Sequence, residues 1–119
     1  MRENLYSGNH PDVAQSLHYI SVSYSNLGDE NKSLEYSKRA LDMREKLFCG
    51  NHPDIAQSLN SIAVSYGRLG EDDKFLKFTK RALEMRENLY CGNHPDVARS
   101  LNSLAICYGR LGDDHKALE

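Results

Sequence analysis

The pentapeptide Gly-Asn-His-Pro-Asp occurs three times, at residues 8–12, 50–54 and 92–96. Each copy places a histidine two positions before an aspartate, a pair able to exchange protons in acid–base chemistry. Two copies follow a cysteine, so Cys49 and His52, and Cys91 and His94, have the Cys-x-x-His spacing of half a zinc site. Zinc takes four ligands at about 2.0–2.3 Å. A second pair would have to come from a neighbouring copy, and packed helices stand about 8–10 Å apart. The first copy is also preceded by Ser7. The His-Asp pairs have no nucleophile at a fixed offset, and a threefold copy is the mark of a scaffold more than of one catalytic centre. Cys107 stands where Ser23 and Ser65 stand in the other units and reads as a small inert residue. His18 and His115 occur singly and are expected at the surface. The expectation is a protein without metal, cofactor or enzymatic activity.

The pentapeptide is one part of a longer recurrence. Met1, Met43 and Met85 correspond, as do Leu17, Leu59 and Leu101, Tyr24, Tyr66 and Tyr108, and Gly28, Gly70 and Gly112. Residues 1–42 match 43–84 at 25 positions, and 43–77 match 85–119 at 24. A fixed period of 42 residues across the whole chain means stacked supersecondary units, leaving no room for a separate domain.

Each unit reads as two helices. In the middle unit Pro53 suits the first helical position, where its missing N–H has no intrahelical partner to lose. Asp54 favours the positive end of the helix dipole, and Asn51 or His52 can cap it. Ile55, Ala56, Leu59, Ile62, Ala63, Tyr66 and Leu69 then fall three and four apart, giving one buried stripe. Gly70 supplies the left-handed residue of a helix stop. A second helix runs from about Asp72 to Tyr90, with Leu76, Leu83 and Tyr90 a heptad apart and Phe75, Phe78, Ala82, Met85 and Leu89 widening the face. Gly92 ends it. The pentapeptide is therefore a joint between one unit's second helix and the next unit's first. The expected organisation is one all-α solenoid over 1–119: a partial helix at 1–7, helix pairs at 11–48 and 53–90, and an incomplete pair at 95–119.

Composition narrows the function classes. Fifteen basic and seventeen acidic residues are interspersed, so no basic field marks a nucleic-acid or membrane-surface binder. No apolar run approaches the roughly 20 residues of a spanning helix. An odd number of cysteines, three, without framework spacing suits a reducing, cytoplasmic setting. Asn31-Lys32-Ser33 matches a glycosylation sequon by letter only.

The series Leu59, Ile62, Ala63, Tyr66, Gly70 and then Ala82 resembles the tetratricopeptide repeat. The period of 42 in place of about 34, and the lines "RALDMREKLFCGNHPDIAQSLNSIAVSYGRLG" and "RALEMRENLYCGNHPDVARSLNSLAICYGRLG", are similar to the repeats of kinesin light chain and nephrocystin-type proteins. The resemblance implies a superhelix whose first helices line a concave groove for a peptide or helix of a protein partner. Two departures stand out. Ser33 and Phe75 occupy the early second-helix position where the family prefers alanine, as at Ala117. His18-Tyr19 replaces Asn60-Ser61 and Asn102-Ser103.

The outward row can also be reached from helix geometry. Val64 lies about 200° from Ile62 at about 100° per residue, off the buried stripe. Gln57, Asn60, Val64 and Gly67 form one row; Gln15, His18, Val22 and Ser25, and Arg99, Asn102, Ile106 and Gly109, repeat it, with Arg68 and Arg110 beside its end. An apolar centre among amides and guanidinium groups suits a peptide backbone and a few side chains, acidic ones included. A second expectation concerns the ends. The chain begins and finishes within second helices, without polar capping repeats, as a piece of a longer array would. Leu5, Tyr6 and Leu118 would then mediate head-to-tail association into a homo-oligomer.

Overall fold

The computed structural model describes residues 11–112. Among them are five helices: α1 (Pro11–Asn26), α2 (Glu30–Leu47), α3 (Pro53–Arg68), α4 (Asp72–Leu89) and α5 (Pro95–Arg110). Consecutive helices pack on one another in sequence order, α1 on α2, α2 on α3, α3 on α4 and α4 on α5. The fold is an all-α helical repeat solenoid. The termini carrying Leu5, Tyr6, Leu118 and His115 lie outside the described residues.

The two described turns between the helices of a pair close in the same way. After α3, Gly70 takes a φ of 83°. Its N–H bonds the Gly67 carbonyl at 3.2 Å, and the Glu71 N–H reaches the Tyr66 carbonyl at 2.9 Å. That double bond pattern satisfies carbonyls left open at a helix end, and it needs a left-handed residue, which glycine adopts without a Cβ penalty.

The central core is the α3 stripe. Ile55, Leu59, Ile62, Ala63 and Tyr66 are buried against Leu41 on one side and Phe75 and Ala82 on the other, with Cys107 completing the cluster. A smaller cluster of Val13, Leu17 and Ala40 joins α1 to α2. Leu69, expected on the buried stripe, is exposed, because it serves as the C-cap of α3 after the helix has ended. Along α4, burial falls on Phe75, Thr79, Ala82 and Arg86. Leu76, Leu83, Met85 and Tyr90 are only half-buried.

Candidate functional site

The joint shows what its histidine does. Nδ1 of His52 accepts the Asp54 N–H at 3.0 Å, and Nδ1 of His94 accepts the Asp96 N–H at 3.1 Å. Each histidine is thus a side-chain N-cap. Each imidazole also stacks on the residue that caps the preceding helix: His52 on Phe48 at 3.7 Å between centroids, His94 on Tyr90 at 3.6 Å, both within 3° of parallel. One ring nitrogen is committed to the backbone and one ring face to an aromatic. Cys49 and Cys91 are exposed beside these joints. Among the described residues no group of three or more His, Cys, Asp or Glu could hold a metal ion.

Beneath the joint lies an arginine that periodicity did not single out. Arg44, on α2, is 1% exposed. Its Nη1 donates to the Asp54 carbonyl at 3.0 Å, Ser58 Oγ at 2.9 Å and Gln57 Oε1 at 3.2 Å; its Nη2 donates to Gln15 Oε1 at 3.1 Å. It therefore ties α2 to the start of α3 and back to α1. Burial pushes its pKa down, opposed mainly by the nearby Asp54 carboxylate. Arg86 repeats the arrangement one unit on, donating to the Asp96 carbonyl at 3.2 Å and Ser100 Oγ at 3.0 Å. Here Arg99 stands where Gln57 stands, and its like charge adds to the burial that lowers the Arg86 pKa. The signal in the sequence was a charged residue recurring at 44 and 86 on the inward side of a second helix.

The outward row lies along the faces of α1, α3 and α5. Val22 and Ser25 of α1, Ser33 of α2 and Asn60, Val64 and Arg68 of α3 line a cleft of about 220 Å³. A second depression of about 330 Å³ is bordered by His18, Gln57, Asn60, Arg86 and Arg99. Asn60 borders both. Ile106 is 54% exposed, and Asn102 is exposed beside it.

Three row residues stand elsewhere than outward. His18, expected at the surface, is 7% exposed. Packing beside Arg44 accounts for this: burial first, and the Arg44 charge second, hold its imidazole below the ordinary value near 6.5. Its Nδ1 has no hydrogen-bond partner. Gln15 and Gln57 give their side-chain oxygens to Arg44. Arg68 and Arg110 keep exposed guanidinium groups but clamp the preceding unit. Arg68 donates to Ser25 Oγ and pairs with Glu30 at 3.3 Å. Arg110 donates to the Gly67 carbonyl at 2.7 Å and pairs with Asp72 at 3.1 Å. Cys107 is fully buried, its thiol 3.7 Å from Thr79 Oγ1, and burial raises its pKa.

No described helix is long and apolar enough to cross a membrane. A search of curated proteins finds no match. Among solved structures, BtubC (BKLC) from P. vanneervenii superposes with a TM-score of 0.88 at 22% identity, over 97% of this chain and 46% of that one. A putative kinesin light chain with nearly identical TPR-like repeats from Podosopora anserina superposes with a TM-score of 0.76 at 20% identity, over 92% of this chain and 52% of that one. The chain thus spans about half the length of these structures, and the likeness is one of fold. The family model for the tetratricopeptide repeat matches residues 23–88 and 54–119. With its helical pairs, its joints and this match over most of its length, the chain belongs to the tetratricopeptide repeat family.

Proposed function

We propose that the chain is a non-catalytic scaffold that binds an extended peptide or helical segment of a partner protein along the face formed by α1, α3 and α5. Tetratricopeptide repeats generally mediate protein–protein interaction. The observation that carries the finer reading is the pair of adjoining depressions that share Asn60. One has the apolar flanks of Val22 and Val64. The other mixes the guanidinium groups of Arg86 and Arg99 with the carboxylates of Asp54 and Asp96 and the side-chain amides of Gln57 and Asn60, donors and acceptors that suit a peptide backbone. The interspersed surface charge disfavours nucleic acid and anionic membrane as partners, and the cysteine pattern suits the cytoplasm. Binding of a fluorescent peptide library to the chain and to an Asn60→Ala, Val64→Glu, Asn102→Ala variant tests the reading. Peptides retained only by the unmodified chain support it; equal retention by both overturns it.

A second reading is head-to-tail self-association. Helix α3 is covered by a second helix on either side, whereas α1 and α5 each leave apolar side chains uncovered: Tyr19 and Leu27 are 61% and 80% exposed, and Leu101 is 49% exposed. Leu5, Tyr6 and Leu118 belong to this reading. Sedimentation at rising concentration decides it, and a mass that stays monomeric throughout removes it.

A further inference from the structure

Charge is nearly balanced over the whole chain, at a net of -2, but the balance hides a local excess. Residues 74–83, within α4, carry Lys74, Lys77, Lys80 and Arg81 and no carboxylate. Lys77 makes the difference, since the equivalent positions of the neighbouring units hold Glu35 and Glu119. All four cations are exposed, while Phe75, Thr79 and Ala82 carry the buried face of the helix. They gather around two stacked rings, Tyr66 and Phe78, whose centroids are 5.6 Å apart. The ammonium groups of Lys74 and Lys38 stand 5.3 and 5.2 Å from the Tyr66 centroid. Those of Lys77 and the Arg81 guanidinium stand 5.7 and 5.3 Å from that of Phe78. Lys38 belongs to α2, so the excess spans two units. Among the described residues, Lys74 has Glu71 at 4.0 Å and Arg81 has Glu45 at 3.7 Å. Lys38, Lys77 and Lys80 pair with no carboxylate. Like charges three and four apart destabilise a helix. Lys77 meets Lys74, Lys80 and Arg81 at those spacings, a cost that the glutamate of the other units avoids.

We propose that this outer face of α4, with Lys38 of α2 beside it, docks an acidic segment of a protein partner. Carboxylates laid along the face relieve the repulsion that Lys77 creates, and complementary charge steers such a segment to it. Lysines present separate point charges on flexible stems, which carboxylates along a segment can meet one by one. The other polyanions fit less well. Tyr66 is 7% exposed and Phe78 half-buried, so the face offers no open ring on which the bases of a single strand could stack. No large apolar side chain of α4 is exposed, so the face lacks the anchor with which a basic helix enters a membrane surface. None of the five cations borders either depression of the groove face. The docking face and the groove are therefore separate surfaces.

The test is fluorescence anisotropy of a labelled octaglutamate peptide titrated with the intact chain at low salt. Saturable binding is expected, weakening as salt is raised, because salt screens exposed charges. Lys77→Glu, the residue at 35 and 119, is expected to weaken it at least about ten-fold, a difference of about 1.4 kcal/mol, while the Tm holds or rises. Lys46→Glu makes the same change of charge elsewhere, beside Asp42 on α2, and is expected to leave most of the binding in place. No binding by the unmodified chain, or equal weakening by the two variants, overturns the proposal. Should Lys77→Glu fail to fold, Lys77→Gln decides: a partial loss supports the proposal and an unchanged affinity overturns it. An oligothymidylate of equal length, and vesicles of phosphatidylcholine and phosphatidylserine in equal parts, are the comparison probes. Tighter binding of either, lost in Lys77→Glu, overturns the choice of an acidic peptide. The Asn60→Ala, Val64→Glu, Asn102→Ala variant is expected to hold octaglutamate as the unmodified chain does. A loss there equal to that of Lys77→Glu would move the anion to the groove and overturn the docking face.

Discussion

At the residue scale the chain's most consequential side chain is Arg44. It satisfies a backbone carbonyl and three side-chain oxygens from two different helices, so removing it strands acceptors in a buried place. Hydrogen bonds to a charged group contribute about 1.5–3 kcal/mol, and an orphaned buried acceptor costs about 1–3 kcal/mol. Arg44→Met is therefore expected to lower stability in urea by about 3 kcal/mol. Arg86→Met is expected to cost less, because Arg86 makes two such bonds and lies near the like charge of Arg99. His18 supplies a pH test. Its native pKa is lowered, so below the unfolded value near 6.5 the unfolded chain takes up a proton that the native chain refuses. The contribution is neutral above that value, and stability is lost as pH falls through it towards the native pKa. The Tm difference between the chain and His18→Asn, the residue at 60 and 102, is expected to widen against the parent between pH 7.5 and pH 5.5. A constant difference would show that His18 titrates alike in both states. The sequence concealed both residues for one reason. Periodicity sorts side chains by polarity, and these two are polar groups buried by what they bond or touch.

Helix starts and stops were the most legible features at the element scale, because they depend on a few adjacent residues. Pro53 and Pro95 begin first helices, and Gly70 and Gly112 take positive φ after them. The role of the histidine in each joint was only half legible. Its capping oxygen-like nitrogen can be guessed from position, but its stacking on Phe48 or Tyr90 depends on how the preceding helix ends. The two roles separate by substitution. His52→Asn keeps a capping acceptor and loses the stack; His52→Ala loses both. Since an N-cap contributes about 1 kcal/mol, His52→Ala is expected to be less stable than His52→Asn by about that amount. The glycines inside the first helices give a second comparison. Gly109→Ala meets nothing within 4 Å and should stabilise by about 1 kcal/mol through helix propensity. Gly67→Ala meets the Phe75 ring and should destabilise by about 1–3 kcal/mol through overpacking. Both values come from chemical denaturation. A stabilising Gly67→Ala would mean that the Phe75 ring can withdraw without loss.

For the molecule as a whole, the 42-residue period made the solenoid readable, since each unit can bury its stripe only against a neighbour. What the period could not show is how unequal the units are. Equivalent residues differ according to their neighbours: Ile62 is 0% exposed and Ile20 39%, Leu59 1% and Leu101 49%. In a nearest-neighbour array, stability follows the interfaces each helix makes. Helix α3 has two such interfaces, through Leu41 of α2 and through Phe75 and Ala82 of α4, while α1 and α5 present one apolar face to solvent. Local opening should therefore cost least at the ends and most at the centre. Amide hydrogen exchange on a dilute sample is expected to protect α3 most, with α1 and α5 opening first. Raising the concentration extends the argument to assembly. If the Tyr19 and Leu27 face and the Leu101 face are covered by other copies, protection of α1 and α5 must rise with concentration towards that of α3. If it stays unchanged while the α3 amides remain slow, the ends are free in solution and the groove is left to account for binding.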